Sequence, residues 1–463
     1  MGKIDFDTYQ SVFSWRYGSK EMRRIFSEKN KYKIWRKIWI ALAEVQHKEG
    51  LVSASELKDL KSHQDEIDIE RILEIEKETK HDVVAAIKEF AEKAKIGGGK
   101  IHLGATSMDI VDNADSYRIR QALGLIRHNL ITLLEHFAQK IDTYSKLPTI
   151  GYTHLQPAEP TTVGYRLSLY AQDLLIDLEL LDYVLKTIKA KGMKGAVGTS
   201  ASYKTLTKNL SIFEKTVMEK LELEPSVISN QVYTRKYDFL ALSVLASISS
   251  SLSKYAADLR ILQSAQFGEW SEPFGKKQVG SSSMPYKKNP LTAENICSLG
   301  RLISQMTTIA LENASHSYLE RTLDDSANKR VIFPDAFLAT DEMMMKADKI
   351  IVGLVVNKER ISYNLKQYAP FLATEKIILE TVRKGADRQE MHEELRVISM
   401  KAWEEVQIGK QNPMKFLLMK NKNILQYIEK DEIEQFLHVE NHIGDAPERA
   451  QQLIKMIRAK IKQ

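Results

Sequence analysis

The length of the apolar periods restricts this chain more than any other feature. Leu123, Ile126, Leu130, Leu133, Phe137, Ile141 and Tyr144 recur at alternating three- and four-residue steps. Leu167, Tyr170, Leu174, Leu178, Leu181, Leu185 and Ile188 repeat the pattern, and so do Leu245, Ile248, Leu252, Tyr255, Leu259 and Leu262. Such spacing puts each set on one stripe of an α-helix, and several turns of it favour helices packed nearly parallel. Each should span roughly 45 Å or more at the helical rise. Two more helical stretches, at about 291–316 and 335–356, complete a set of five. Ala241, Ser243, Ala246, Ser247, Ser250 and Ala256 flank the third seam, so neighbours can approach that helix on several sides, as they would inside an assembly. Five such helices in one chain leave apolar stripe over, and an oligomer is expected.

The fold expected is all-α, with helical segments of ordinary length on either side of the long ones. Residues 1–108 form an N-terminal domain, in which Trp35, Ile38, Leu42 and Val45 share a helix closed by Gly50, with Trp39 and Leu51 in the core; Gly97–Gly99 makes a flexible turn at its end. Residues 109–360 form the central five-helix bundle. Residues 361–463 form a C-terminal domain, with a capping-box-like start at Asp387 and Glu390 and a last helix opened by Pro447. No β-rich region, internal repeat or low-complexity segment is visible.

Charge and cysteine content narrow the function classes. The 67 basic and 61 acidic residues leave a net charge of +6, interspersed through most of the chain. That is too mild for nucleic-acid binding and modestly favours an anionic small molecule. No apolar run suggests a membrane span, and MGKIDFDTYQ has neither a secretory core nor, with Phe6, a myristoylation pattern. Cys297 is the only cysteine, which rules out an intrachain disulfide and a thiolate metal cage and suits a reducing cytosol.

One loop lacks any packing rationale: GSSSMPYKKNP, Gly280 to Pro290. Its glycine and two prolines bar a regular helix, and its hydroxyls and lysines lead into a helix N-terminus, where backbone amides favour anions. His154 lies in GYTHLQPAEPTT, where Gly151, Pro157 and Pro160 force a non-helical turn between long helices. His81 stands at a helix start with Asp82 beside it, an arrangement that a simple capping pair also explains.

Taken together, these strings resemble the fumarase/aspartase superfamily, whose members release fumarate from succinyl-bearing substrates. The loop is similar to its signature motif, which implies Ser281 as the base that takes the carbon-bound proton and Lys287 as a contact to a substrate carboxylate. THxQPAxxTT resembles the second motif and implies His154 as general acid, with Thr153 beside it. IHLGATSMDIVDNA implies Thr106 and Ser107 as carboxylate-binding hydroxyls. Further strings resemble the adenylosuccinate lyase branch. KHDV implies substrate contact by Lys80, His81 and Asp82; SWRYGSKEM implies Arg16 and Tyr17 at the nucleotide phosphate, where an arginine fork suits the geometry. QVYTRKYD supplies Gln231, and LERTLDDSANKR supplies Arg321, Ser326 and Arg330. One departure is visible: animal-type members carry an arginine where this chain has Asn295.

The chemistry so implied needs no metal or organic cofactor. Lys287, Asn289 and loop amides would stabilise the carbanion-like intermediate through one carboxylate, with Thr106 and Ser107 on the other. His154, oriented by hydrogen bonding to the Glu294 carboxylate, would protonate the departing nitrogen. The resemblance also implies a homotetramer whose sites combine side chains from three subunits. Two rival readings are a sister enzyme such as an argininosuccinate lyase and a non-catalytic all-α scaffold. HVENH, at His438 to His442, has the spacing of a helical zinc pair, but Val439 occupies the glutamate position of the zincin motif.

Overall fold

Long helices form where the three-four stripes predict them: α1 Ser107–Tyr144, α2 Val163–Thr187, α3 Lys236–Gln263, α4 Leu291–Ser315 and α5 Ser326–Val352. The structure, a computed structural model, describes residues 7–439 and 442–462 and is predominantly helical, in keeping with the all-α expectation. α5 starts at Ser326 rather than near 335 and runs through Pro334, a residue that disfavours a helix interior. Phe6 of the N-terminal stretch and Glu440 and Asn441 of HVENH lie outside the described residues.

All five long helices contribute to each of two compact units. The first takes residues up to Leu130, Ile176–Leu252 and Ser298–Met345; the second takes Ile131–Leu175, Ser253–Cys297 and Lys346–Gln463. In the first unit, polar contacts fix the helix pairs. Arg127 Nε donates to Asp182 at 2.6 Å between α1 and α2, and Asn129 Nδ2 donates to Asp341 at 3.0 Å between α1 and α5. Thr307 Oγ1 donates to the Leu242 carbonyl at 3.2 Å between α4 and α3. The helix Glu28–Lys48, started by the Ser27 side chain, buries Trp35, Ile38, Trp39, Leu42 and Val45 against Phe90, Tyr203 and Phe213. Gly97 closes this region in a tight approach rather than a loose turn: a Cβ there would lie 2.5 Å from the Glu56 carbonyl.

The second unit holds an aromatic stack from α1, α2 and α3, with Tyr255 centred 5.1 Å from Phe137 and 5.2 Å from Tyr170. Its C-terminal core gathers Met391, Leu395, Met414, Leu418, Ile424 and Ile433. Two short antiparallel pairs interrupt the helices. β1 Pro148–Thr153 pairs with β2 Gln156–Thr162, and β3 Trp270–Ser271 pairs with β4 Val355–Val356. By length and hydropathy α3 could cross a membrane. Its Leu245, Ile248, Leu252, Tyr255 and Leu259 are buried, however, as in a core helix.

Candidate active site

Six of the residues singled out in the sequence belong to the second unit: Thr153, His154, Ser281, Lys287, Asn289 and Glu294. The turn expected around His154 is a β-hairpin. His154 and Leu155 both have positive φ, 53° and 60°, between the paired Thr153 and Gln156, the geometry of a two-residue type I′ connection. Both residues are exposed at its tip. The irregularity at Gly151 is sterically enforced, since a Cβ there would come within 2.7 Å of the Glu159 carbonyl.

The Gly280–Pro290 segment is irregular and mostly exposed. Ser281 Oγ accepts from the backbone N–H of Met284 at 3.1 Å and of Ser283 at 3.4 Å. Donors aimed at that oxygen favour its negatively charged form. The neck of the loop is closed by Asn289, whose Nδ2 donates to the Gly280 carbonyl at 2.8 Å, while Gly280 itself packs where a Cβ would run into the Lys287 carbonyl. Lys287 is exposed.

Two expectations change here. The first amides of α4 do not await an external anion. Glu272, almost fully buried, accepts from the N–H of Thr292 at 3.1 and 3.2 Å, from Thr292 Oγ1 at 3.1 Å and from the Ala293 N–H at 3.0 Å. The chain thus supplies its own carboxylate to the helix start. Nor does Glu294 bond to His154 within one chain: it sits on the first turn of α4, 4.0 Å from Arg260 of α3. Asn295, which replaces the arginine of animal-type members, accepts from Lys346 Nζ at 2.6 Å.

The first unit holds Arg16, Tyr17, Lys80, His81, Asp82, Thr106, Ser107, Gln231, Arg321, Ser326 and Arg330. His81 caps the helix Asp82–Lys93, with its Nδ1 3.4 Å from the Val84 N–H, so the capping reading of that pair holds. Lys80 precedes it in a left-handed conformation, and Asp82 meets the exposed Arg330 at 3.3 Å. Arg321 Nη1 donates to Gln231 Oε1 at 2.9 Å, which joins two strings 90 residues apart. Gly18, after the exposed Arg16 and the half-buried Tyr17, donates its N–H to Glu342 at 2.9 Å. Thr106 and Ser107 open α1, where Asp109 Oδ2 accepts from the Thr106 N–H at 2.9 Å. Asp109 is wholly buried and is also bound by Lys191, the Tyr203 hydroxyl and the N–H groups of Lys194 and Gly195.

A buried ionic network underlies the Gln231 and Ser326 strings. Arg235 Nη1 lies 3.1 Å from Asp112 and its Nε 2.6 Å from Asp325; Lys329 Nζ donates to Tyr233 at 2.7 Å and lies 3.2 Å from Asp115 and 3.3 Å from Asp238. Burial would raise the Asp115 carboxyl, but Lys329 and Arg118 hold it down to about 2. For Asp112 burial outweighs Arg235 and Lys329, and the carboxyl is pushed up. Sequence reasoning also passed over His102, inside the IHLGATS string. Its φ is 67°, Trp39 Nε1 donates to its Nδ1 at 3.1 Å, and burial pushes it down to about 4, which keeps the imidazole neutral. Of the set-aside HVENH pair, His442 Nε2 lies 3.1 Å from Lys376 Nζ.

Comparison with known proteins adds names to this geometry. A family profile described as "Lyase" matches residues 16–303, and one described as "Adenylosuccinate lyase C-terminus" matches residues 370–453. The chain is 36% identical to adenylosuccinate lyase of Saccharomyces cerevisiae, across 97% of its length and 95% of the relative's. It is 37% identical to adenylosuccinate lyase of Methanocaldococcus jannaschii, across 96% of both. Among solved structures it is similar to a fumarate lyase from Mesorhizobium sp. BNC1, with a TM-score of 0.85 at 21% identity over 97% of this chain and 99% of that one. It is also similar to the 3-carboxy-cis,cis-muconate lactonizing enzyme of Pseudomonas putida, with a TM-score of 0.86 at 20% identity over 98% and 100%. At those identities the two structures speak for the fold alone.

Proposed function

This chain belongs to the adenylosuccinate lyase family within the fumarase/aspartase lyases, and we propose that it carries out the elimination its relatives are named for. It splits adenylosuccinate into AMP and fumarate, and it releases fumarate likewise from succinyl-aminoimidazole-carboxamide ribotide. The observation that carries this reading is the near full-length similarity to adenylosuccinate lyases of both a yeast and an archaeon.

The reaction removes a proton from a carbon next to a carboxylate and breaks the bond between the neighbouring carbon and nitrogen. The proton is weakly acidic, so the negative charge that develops must be met by donors already in place. Ser281 is the base. Two backbone N–H groups point at its oxygen, and with Lys287 nearby in the loop they favour the alkoxide. Lys287 and Asn289 stabilise one substrate carboxylate, and Thr106 and Ser107 the other. His154 protonates the departing purine nitrogen, which becomes the amino group of the product. Arg16, Tyr17, Lys80, His81, Asp82, Thr153, Gln231, Arg321, Ser326 and Arg330 bind the rest of the nucleotide. Closure of the exposed loop excludes water and brings Ser281 to its substrate.

The same reading extends to assembly. Ile176, Leu180 and Tyr183 on α2 and Leu302 and Ile309 on α4 are exposed at helical spacing, the apolar stripe expected of a subunit contact. We propose a homotetramer whose sites each draw on three subunits, with Glu294 orienting the His154 of another chain. We further propose the division into domains 1–108, 109–360 and 361–463, supported by the run of long helices between two stretches of shorter ones, and a reducing cytosol as the compartment, supported by the single cysteine. Incubating purified protein with adenylosuccinate and, separately, argininosuccinate tests the function. AMP and fumarate should form from the first only; fumarate from the second alone would transfer the chain to the sister chemistry.

A further inference from the structure

The segment that leaves α3 carries two buried glutamates, and each is bonded to a different part of the proposed proton-transfer machinery. Glu269 is fully buried, and both of its carboxylate oxygens are used. Oε1 accepts from the Tyr152 hydroxyl at 2.9 Å and from Asn364 Nδ2 at 3.0 Å; Oε2 accepts from Thr149 Oγ1 at 3.0 Å and from Arg166 Nη1 at 3.4 Å. Thr149 and Tyr152 both belong to β1, and Tyr152 is two residues from His154. Its ring also packs edge-on against Phe267, with centroids 4.9 Å apart. The hairpin is therefore tied to this segment on either side of its Gly151 irregularity.

Three residues on, Glu272 holds the first amides of α4, as described above. Its own N–H donates to Gln263 Oε1 at 2.9 Å, and Gln263 Nε2 donates to the Lys288 carbonyl at 3.0 Å, at the exit of the Ser281 loop. The segment is itself anchored: the Glu269 N–H returns to the Leu262 carbonyl at 3.0 Å, the Asn357 N–H donates to the Glu269 carbonyl at 2.9 Å, and β3 pairs with β4. None of these bonds involves a group expected to touch substrate. Each fixes an element that carries one.

We propose that the connector from Gln263 to Glu272 is a common mount for the two proton-transfer elements: Glu269 positions the hairpin bearing His154, and Glu272 positions the exit of the loop bearing Ser281. The proposal rests on the elimination chemistry above. A carboxylate suits Glu269 because four donors, one of them a largely buried guanidinium, converge on it; an amide there would leave the Arg166 charge uncompensated and turn its own donors toward other donors.

The test is a pair of double-mutant cycles on the purified full chain with adenylosuccinate, combining Glu269→Gln with His154→Ala and Glu272→Gln with Ser281→Ala. Each glutamine variant alone should lower kcat by about ten- to a hundredfold, the scale of a small misplacement of a reacting group, with KM changed less than about threefold. In the double variants the glutamine should cost nothing further, because its effect passes through a group already removed. A purely structural role would lower kcat by the same factor in both backgrounds, and that result in either cycle, or an unchanged kcat in either single variant, overturns the proposal. Should a glutamine variant fail to fold, Tyr152→Phe and Thr292→Val, which each delete one donor to these carboxylates, enter the same cycles. A wild-type protein that releases no fumarate would instead remove the functional reading before any variant is compared.

Discussion

Ser281 and His154 differ in how the chain prepares them. The serine oxygen already faces two backbone donors, while the histidine stands exposed on a turn with no hydrogen bond among the described residues. On the proposed chemistry Ser281→Ala and His154→Ala should each lower kcat by about two to four decades, measured as fumarate release by purified variants of unchanged melting temperature. His102 makes a separate prediction about stability. Burial takes it from 6.5 to about 4, so as pH falls below 6.5 the unfolded chain binds the proton first. Stability should drop between pH 6.5 and about 4, by up to about 3 kcal/mol, and level off below. Urea titrations across that window should show a flatter dependence for His102→Gln, whose amide oxygen can still accept from Trp39. The motif residues were legible because their strings are distinctive. Asp109, Glu269 and Glu272 were not, since a carboxylate among polar residues reads as surface until its donors, distant in sequence, are known.

Among the elements, the long helices were legible from their seams alone, since stripes sustained over several turns have no competing geometry. The hairpin was not. β1 and β2 contain Pro148, Pro157, Pro160 and Gly151, residues that read as turn formers, and the strands hold their shape through Thr149, Tyr152 and the Arg166 bond to the Ile150 carbonyl. The Gly280 loop neck gives an element-scale prediction. Gly280→Ala would force the Lys287 carbonyl aside and open the contact made by Asn289. Turnover should fall by about tenfold or more, while the melting temperature stays within about 2 °C, because the loop contributes little buried surface. A coupled fall in both would place the glycine in the folding of the chain instead.

For the whole molecule the informative surface is the apolar stripe of α2 and α4. Charging it with Ile176→Arg should shift the protein toward smaller species in light scattering and lower activity with it. Mixing inactive Ser281→Ala with inactive His154→Ala under conditions that exchange subunits should recover activity, if one site takes its serine and its histidine from different chains; no recovery after verified exchange counts against shared sites. The expectation that the chain associates came from apolar stripes too numerous for one subunit, and α2 and α4 do leave Ile176, Leu180, Tyr183, Leu302 and Ile309 exposed. The number of copies proposed came from the resemblance instead, since a stripe carries no information on symmetry.

The carboxylate of Glu272 at the head of α4 has one more consequence. With that helix end already satisfied from inside, the carboxylate that the proposed chemistry gives to Lys287 and Asn289 would be held by side chains of an exposed loop and not by the helix amides. On that chemistry, exchanging residues on the loop's outer flank should hasten or slow release of the dicarboxylate product and leave the bond-breaking step as it is.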